Sequence, residues 1–135
     1  MKYILVTNNP KVFSKYGEAG VDKLLTKCEY LDTQSFIQVL EWVRNRVHEG
    51  HQLLTHPLTG SIKPYETPYK SVLITASKKG LDTDSLMIIE DALTLTRQFL
   101  ADYEQRELPQ RIHDDFQLID YNLIESGIES LHQIH

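Results

Sequence analysis

This chain of 135 residues has one cysteine, no long apolar run and no excess of basic residues. The single cysteine, Cys28, excludes an intramolecular disulfide and a metal site made of cysteines alone. Fourteen lysines and arginines against nineteen aspartates and glutamates give a formal charge of −5. The longest basic cluster is the pair Lys78-Lys79, so nothing favours binding to nucleic acid or to an anionic membrane. Without a signal peptide or an apolar run of about 18 residues, we expect a cytoplasmic protein.

The composition is that of an ordinary globular domain. Hydrophobic residues make up 41% of the chain and charged residues 24%, which leaves room for one substantial core. We find no repeat, low-complexity stretch or linker, and therefore predict a single domain over residues 1–135. Cys28 falls within an alternating run, where burial as a small hydrophobe is favoured over a reactive thiol.

Four short runs have the apolar, β-branched character of strands. They are residues 2–7, 23–31, 52–55 and 71–76. The second and third runs flank a helical pattern, which predicts a βαβ crossover between parallel strands.

Three longer segments have helical periodicity, and residues 11–16 predict about one further turn. Asp32 is predicted to cap a helix whose apolar face consists of Phe36, Val39, Leu40, Val43 and Val47 and which stops at Gly50. Asp82 and Asp84 begin a second helix with a wide apolar face. A last helical region follows Pro109. The sequence thus predicts an α/β fold with a small, mostly parallel sheet of about four strands, layered with helices, and two long C-terminal helical segments.

The expected ligand site lies where strands end. Ligands of layered α/β folds bind beyond the carboxyl ends of the strands. Two polar segments leave the predicted sheet there, residues 7–10 after the first strand and residues 55–71 after the third. If the strands are neighbours, these segments converge.

The segment 55–71 is the strongest functional signal, because connections of this length are usually functional or disordered. Three prolines and apolar residues at both ends favour an ordered loop. The candidate ligand-binding residues are Asn8, Asn9, His56, Thr59, Gly60, Ser61, Lys63, Tyr65, Thr67, Tyr69 and Lys70. Equally, the loop could be a rigid packing or subunit-contact element with Tyr65 and Tyr69 as anchors.

The chemistry of the loop favours an anion without specifying a reaction. Gly60 would let the backbone approach a ligand, and Lys63 would supply positive charge. No Walker loop or dinucleotide fingerprint is present. His56 and Lys63 are the candidates for catalysis if the protein is an enzyme. His48, His51 and His56 do not have the spacing of a metal site, so no metal ligand is predicted.

Segments along nearly the whole chain resemble the GrdX family. They are residues 1–10 (MKYILVTNNP), 48–51 (HEGH), 54–64 (LTHPLTGSIKP), 66–74 (ETPYKSVLI) and 114–120 (DDFQLID). The GrdX family consists of small proteins encoded beside the genes of glycine, sarcosine and betaine reductases in amino-acid-fermenting anaerobes. The resemblance implies a cytoplasmic accessory of a selenium-dependent reductase system. It implies no activity, cofactor or catalytic residue.

Three hypotheses remain open. The leading one is an accessory protein that binds a small, anionic ligand or assists assembly through the loop 55–71 together with Asn8 and Asn9. The second is a small enzyme that acts on an anionic substrate with His56 and Lys63. The third is a protein-interaction module. Excess apolar surface in residues 109–135 also predicts a homodimer, unless that surface is used to cover the sheet.

Overall fold

The computed structural model of the chain describes residues 1–58, 63–104 and 107–134. Seven elements follow one another in these residues, and they confirm the predicted α/β class. They are β1 (Tyr3–Thr7), α1 (Pro10–Tyr16), β2 (Leu25–Tyr30), α2 (Phe36–His48), β3 (Ser71–Thr75), α3 (Thr83–Asp102) and α4 (Gln110–Ile134).

The sheet has three strands in the order β2-β1-β3. Strands β1 and β2 are parallel and are joined across α1, whereas β3 runs antiparallel to β1. The prediction of about four, mostly parallel strands is therefore wrong in number and in direction. The expected crossover from residues 23–31 to residues 52–55 is also replaced by the β1–α1–β2 unit.

The predicted strand at residues 52–55 forms only one isolated antiparallel bridge, Leu53 to Ile74. Backbone hydrogen bonds join only part of this segment to β3, and hydroxyl groups accept other N–H groups of the segment. The backbone N–H groups of Gln52 and Leu53 donate to Thr75 Oγ1 at 2.9 Å and Ser85 Oγ at 3.0 Å. The segment stays beside β3, but its backbone bonds are shared with side chains, which the apolar pattern alone does not reveal.

Both faces of the sheet are covered by helices. Ile4, Val6, Val72 and Ile74 belong to a core with α2 and α3. Side chains of the opposite parity, including Tyr3, Leu5 and Leu73, belong to a second core with α1 and α4. Because successive side chains of a strand point to opposite faces, one short sheet holds both cores together. Full burial of each leucine contributes about 2 kcal/mol.

The helix boundaries agree with the prediction at α3 and differ at α2. Asp82 caps α3 by accepting the Ser85 N–H at 3.0 Å. The predicted cap Asp32 is wrong, because Ser35 caps α2 in a reciprocal capping box with Gln38. Gly50 ends the helical region with φ +109°. A Cβ at this position would lie 2.0 Å from the backbone oxygen of Lys79, which follows β3.

The last helical region is one continuous helix of 25 residues. Its buried residues Ile124, Ile128 and Leu131 face β3 and α1, while Leu118, Ile119 and Leu123 are 39–46% exposed. Of the helices in the described residues, none is long and apolar enough to cross a membrane.

Candidate functional site

The two segments expected to converge do meet at one end of the sheet. Because β3 is antiparallel to β1, its first residue Ser71 pairs with Thr7, the last residue of β1. Asn8 then joins the two segments. Its Oδ1 accepts the Lys70 N–H at 2.8 Å, and its Nδ2 donates to the Pro68 carbonyl at 2.8 Å. Asn8 thereby holds the end of the 55–71 segment in place.

Asn9 has two tasks at this edge. Its Oδ1 accepts the Lys11 N–H at 3.0 Å and caps α1, with Pro10 at the first helical position. Its Nδ2 donates to Asp120 Oδ2 at 2.9 Å and to the Gln117 carbonyl at 2.9 Å, both in α4. Asn9 therefore links the first strand to the last helix.

Asp120 is the central acceptor of the site. It is only 7% exposed. Its Oδ1 accepts the Ser71 N–H at 3.0 Å, and its Oδ2 accepts the Ser71 hydroxyl at 2.7 Å as well as the Asn9 amide. Both oxygens of the carboxylate are thus occupied by hydrogen bonds from the protein. We name the group Asn8, Asn9, Lys70, Ser71 and Asp120 the sheet-end cluster.

Lys70 brings a buried positive charge into the sheet-end cluster. It is 5% exposed, and its Nζ lies 5.9 Å from the centre of the Phe36 ring. In the described part of the chain, the Lys70 ammonium group forms no ion pair. Burial lowers the pKa of Lys70, and the nearby negative charge of Asp120 only partly opposes this effect.

Two cavities meet at Lys70 and Asp120. One is a cleft of about 360 Å³, which we name the Lys70 cleft. Besides these two residues it is lined by His56, Ser71 and mainly apolar side chains of α4, including Leu123 and Ile124. The other cavity is a crevice of about 30 Å³ on the side of Phe36 and Tyr69.

Tyr69 connects the crevice to a second polar group on α4. Its hydroxyl is 2.8 Å from His113 Nδ1 and accepts a hydrogen bond from Gln117 Nε2 at 2.9 Å. His113 is half-buried and contacts the end of the 55–71 segment through Tyr69. It also lines an open groove of about 690 Å³ together with Thr67 and Pro68.

The candidate residues of the loop divide between two places. His56 lines the Lys70 cleft, and its Nδ1 accepts the Leu58 N–H at 3.0 Å. Thr67 is buried and its hydroxyl accepts the Tyr69 N–H at 3.2 Å. Lys63 and Tyr65 contact a different surface, where Lys63 Nζ lies 5.5 Å from the Phe99 ring centre and Tyr65 stacks on Tyr103 at 4.2 Å. The candidates Thr59, Gly60 and Ser61 lie outside the described residues.

His48, His51 and His56, which the sequence analysis considered as metal ligands, lie in different environments. His51 is buried, with Nδ1 2.6 Å from the Thr75 carbonyl oxygen, while His48 lies 3.9 Å from Glu90 on the surface. Within residues 1–58, 63–104 and 107–134, no group of three or more histidine, cysteine or acidic side chains is arranged to hold a metal ion.

Asp120 and Ser71 were not among the sequence candidates. The pattern contained a signal for Asp120, because residues 120, 124, 128 and 131 have helical spacing and the other three are buried apolar residues. A carboxylate in such a row has to find buried partners. No comparable signal marks Ser71, whose role depends on the approach of α4.

Comparison with protein families matches residues 4–129 to the GrdX-like proteins. The chain belongs to the GrdX-like family. Neither a curated protein nor a solved structure matches it. For this family member, the geometry of the sheet-end cluster is consequently the main guide to chemistry.

Proposed function

We propose that this GrdX-like protein is a cytoplasmic accessory of a glycine, sarcosine or betaine reductase system and binds a small anionic ligand in the Lys70 cleft. The observation that supports the ligand is Lys70, a residue that is only 5% exposed and whose ammonium group forms no ion pair in the described part of the chain. Family membership supports the reductase setting.

The charge balance of the sheet-end cluster favours an anion. Burial of an ammonium group is costly unless a counter-charge and hydrogen bonds accompany it. Asp120 contributes negative charge, but both of its oxygens already accept hydrogen bonds from Ser71 and Asn9. A carboxylate or similar anion in the cleft would supply the acceptors that Lys70 lacks.

The size and walls of the cleft favour a small ligand with some apolar surface. A volume of about 360 Å³ is at the lower end of ordinary ligand sites. Leu123, Ile124 and Leu131 form much of the wall, and His56 is at the same cleft. We therefore infer a short-chain organic acid in preference to a nucleotide.

The rival enzyme hypothesis, which paired His56 with Lys63, has less support. His56 lines the Lys70 cleft, whereas Lys63 lies over Phe99. The two side chains thus belong to different surfaces, and a shared reaction centre would require the loop to rearrange.

An interaction module or a homodimer is favoured by a separate observation. Leu118, Ile119 and Leu123 are exposed on one helix, by 46%, 39% and 41%. Contiguous apolar surface of this kind is typical of protein contacts. Light scattering over a concentration series would test the homodimer, and a monomeric mass at the highest concentration would reject it.

The ligand proposal is tested by titrating the protein with acetate, glycolate and phosphate in a calorimeter. We expect saturable binding of the carboxylates that Lys70→Met weakens by at least ~10-fold, the equivalent of one charge-assisted contact. The Lys70→Met variant should remain folded, because methionine is a similarly long, unbranched side chain and Asp120 keeps its hydrogen bonds from Ser71 and Asn9.

Lys63→Met is the matched control, since it removes the same charge from the other surface of the loop. We expect it to bind the carboxylates as the wild type does. Equal binding by the wild type and Lys70→Met, or a loss confined to Lys63→Met, would contradict the assignment of the site to Lys70.

A further inference from the structure

The surroundings of Lys70 are those of a reactive amine as much as of an anion-binding cation. Its Nζ lies 5.9 Å from the centre of the Phe36 ring. The crevice beside it is lined by Phe36, Phe116 and other apolar side chains together with the polar residues Thr67, Tyr69 and Asp120. A lysine that is desolvated in this way is a nucleophile that can attack carbonyl carbon.

We propose that the amino group of Lys70 forms a reversible imine with a small carbonyl acid, that is, a short carboxylic acid that carries an aldehyde or ketone. This inference rests on the proposed function, because it assigns a chemical class to the ligand of the same cleft. It adds a covalent step that simple anion binding does not require.

The step balances without an oxidant or a reductant. The lone pair of the neutral amine forms a bond to the carbonyl carbon, and the carbonyl oxygen takes up a proton to give a carbinolamine. The C–O bond then breaks, the hydroxyl group leaves as water after a second protonation, and the nitrogen lone pair forms the C=N bond. The nitrogen gives up its two protons, one on forming the carbinolamine and one on forming the imine, so amine and carbonyl compound yield imine and one water molecule.

Neighbouring groups favour both the attack by the amine and the proton transfers that imine formation requires. Burial lowers the pKa of Lys70, which increases the neutral, nucleophilic fraction at a given pH. Tyr69 lines the same crevice, and its hydroxyl group contacts His113 Nδ1 at 2.8 Å, so a phenol coupled to an imidazole is available for proton transfer.

His56 gives the carboxylate of such a ligand a second partner. Its Nδ1 already accepts the Leu58 N–H, so the proton of the neutral ring resides on Nε2, which can donate to an anion. His56 and Lys70 line one cleft. A carbonyl acid could thus contact His56 with its carboxylate while its carbonyl carbon reaches Lys70.

The test uses glyoxylate with borohydride, which reduces an imine to a stable secondary amine, followed by peptide mapping by mass spectrometry. Glycolate, which has the same carboxylate but no carbonyl group, is the matched competitor. We expect Lys70 to be labelled in preference to every other lysine, because burial lowers its pKa and so raises the neutral, nucleophilic fraction of its amine. Excess glycolate should suppress this label.

The variants separate charge from nucleophilicity. Lys70→Arg keeps a cation but cannot form the imine, so it should lose the label whatever its affinity for glycolate. Lys70→Met removes both the cation and the nucleophile, so it should lose the label and bind glycolate more weakly. The mapping on the wild type is decisive even if a variant fails to fold.

The outcomes distinguish this inference from the proposed function. Glycolate binding without a preferred label on Lys70 would overturn the imine and leave the anion site intact. A preferred label on Lys70 that glycolate does not suppress would support the imine and count against the anion site. Uniform labelling of surface lysines without glycolate binding would overturn both.

Discussion

Replacing Asp120 by asparagine tests whether the sheet-end cluster fastens α4 to the sheet. The wild-type carboxylate accepts three hydrogen bonds, from the Ser71 N–H at 3.0 Å, the Ser71 hydroxyl at 2.7 Å and the Asn9 amide at 2.9 Å. An asparagine has a single acceptor oxygen. Whichever way its amide is turned, its NH₂ group faces either the Ser71 N–H or the Asn9 NH₂.

The expected loss of stability follows from this unfavourable contact between two hydrogen-bond donors. One buried donor left without an acceptor costs about 1–3 kcal/mol, and loss of the charge on the remaining contacts adds about 1 kcal/mol. We therefore expect Asp120→Asn to lower the free energy of unfolding by about 2–4 kcal/mol. That is a large part of the stability of a typical domain, about 5–15 kcal/mol, and should lower Tm on the order of 10 °C.

The assay is urea unfolding followed by circular dichroism, with Asp115→Asn as the matched control. Asp115 is on the same helix and exposed, so the same substitution there should change stability by less than about 0.5 kcal/mol. If Asp120→Asn is no more destabilising than Asp115→Asn, then the three hydrogen bonds do not hold α4, and the account of the cluster is wrong.

Three further predictions concern other parts of the molecule. Gly50→Ala should destabilise by at least about 2 kcal/mol in the same unfolding assay, because φ is +109° and a Cβ would collide with backbone, whereas Gly80→Ala, which meets nothing within 4 Å, should be neutral. Burial raises the pKa of the Cys28 thiol to about 11, so its alkylation by iodoacetamide should be slow at neutral pH and accelerate toward pH 11; a midpoint near that of a free thiol would refute the burial. The hydrogen bond from Lys15 lowers the pKa of Glu125, so Glu125 stabilises the fold above its unfolded pKa and loses this effect as the pH falls through the folded value. Glu125→Gln should thus cost less than about 1 kcal/mol at neutral pH and nothing in strong acid, and an equal cost at both would contradict the ion pair.

The sequence alone determined the parts of the fold that depend on local pattern. The apolar runs at β1 and β3 and the helical faces of α2 and α3 were predicted because period-2 and period-3.6 spacing are properties of neighbouring residues. Asp82 was identifiable as a cap for the same reason. The meeting of Asn8 with the 55–71 segment was predicted from a third strand over residues 52–55, which does not form. In the structure the two segments meet because residues 55–71 lead into the first residue of β3, which runs antiparallel to β1.

Tertiary structure decided what depends on distant partners. The cap of α2 is an exception to this division. Ser35 followed three residues later by Gln38 has the spacing of a capping box, a local signal that the choice of Asp32 overlooked. The direction of β3 appears only in its pairing with β1. Residues 52–55 form a single bridge, and hydroxyl groups of Thr75 and Ser85 accept the backbone N–H groups of Gln52 and Leu53.

In the candidate site, too, some features follow from local sequence and others from long-range packing. Lys70 could be named from the sequence as a polar residue of the loop, but its burial arises only when α4 packs beside it and brings in Asp120. Asp120 lies 49 residues along the chain from its partner Ser71. Side chains this far apart in sequence carry no mutual spacing signal, because their geometry is set by helix packing, and that packing decided where the charge of this protein is buried.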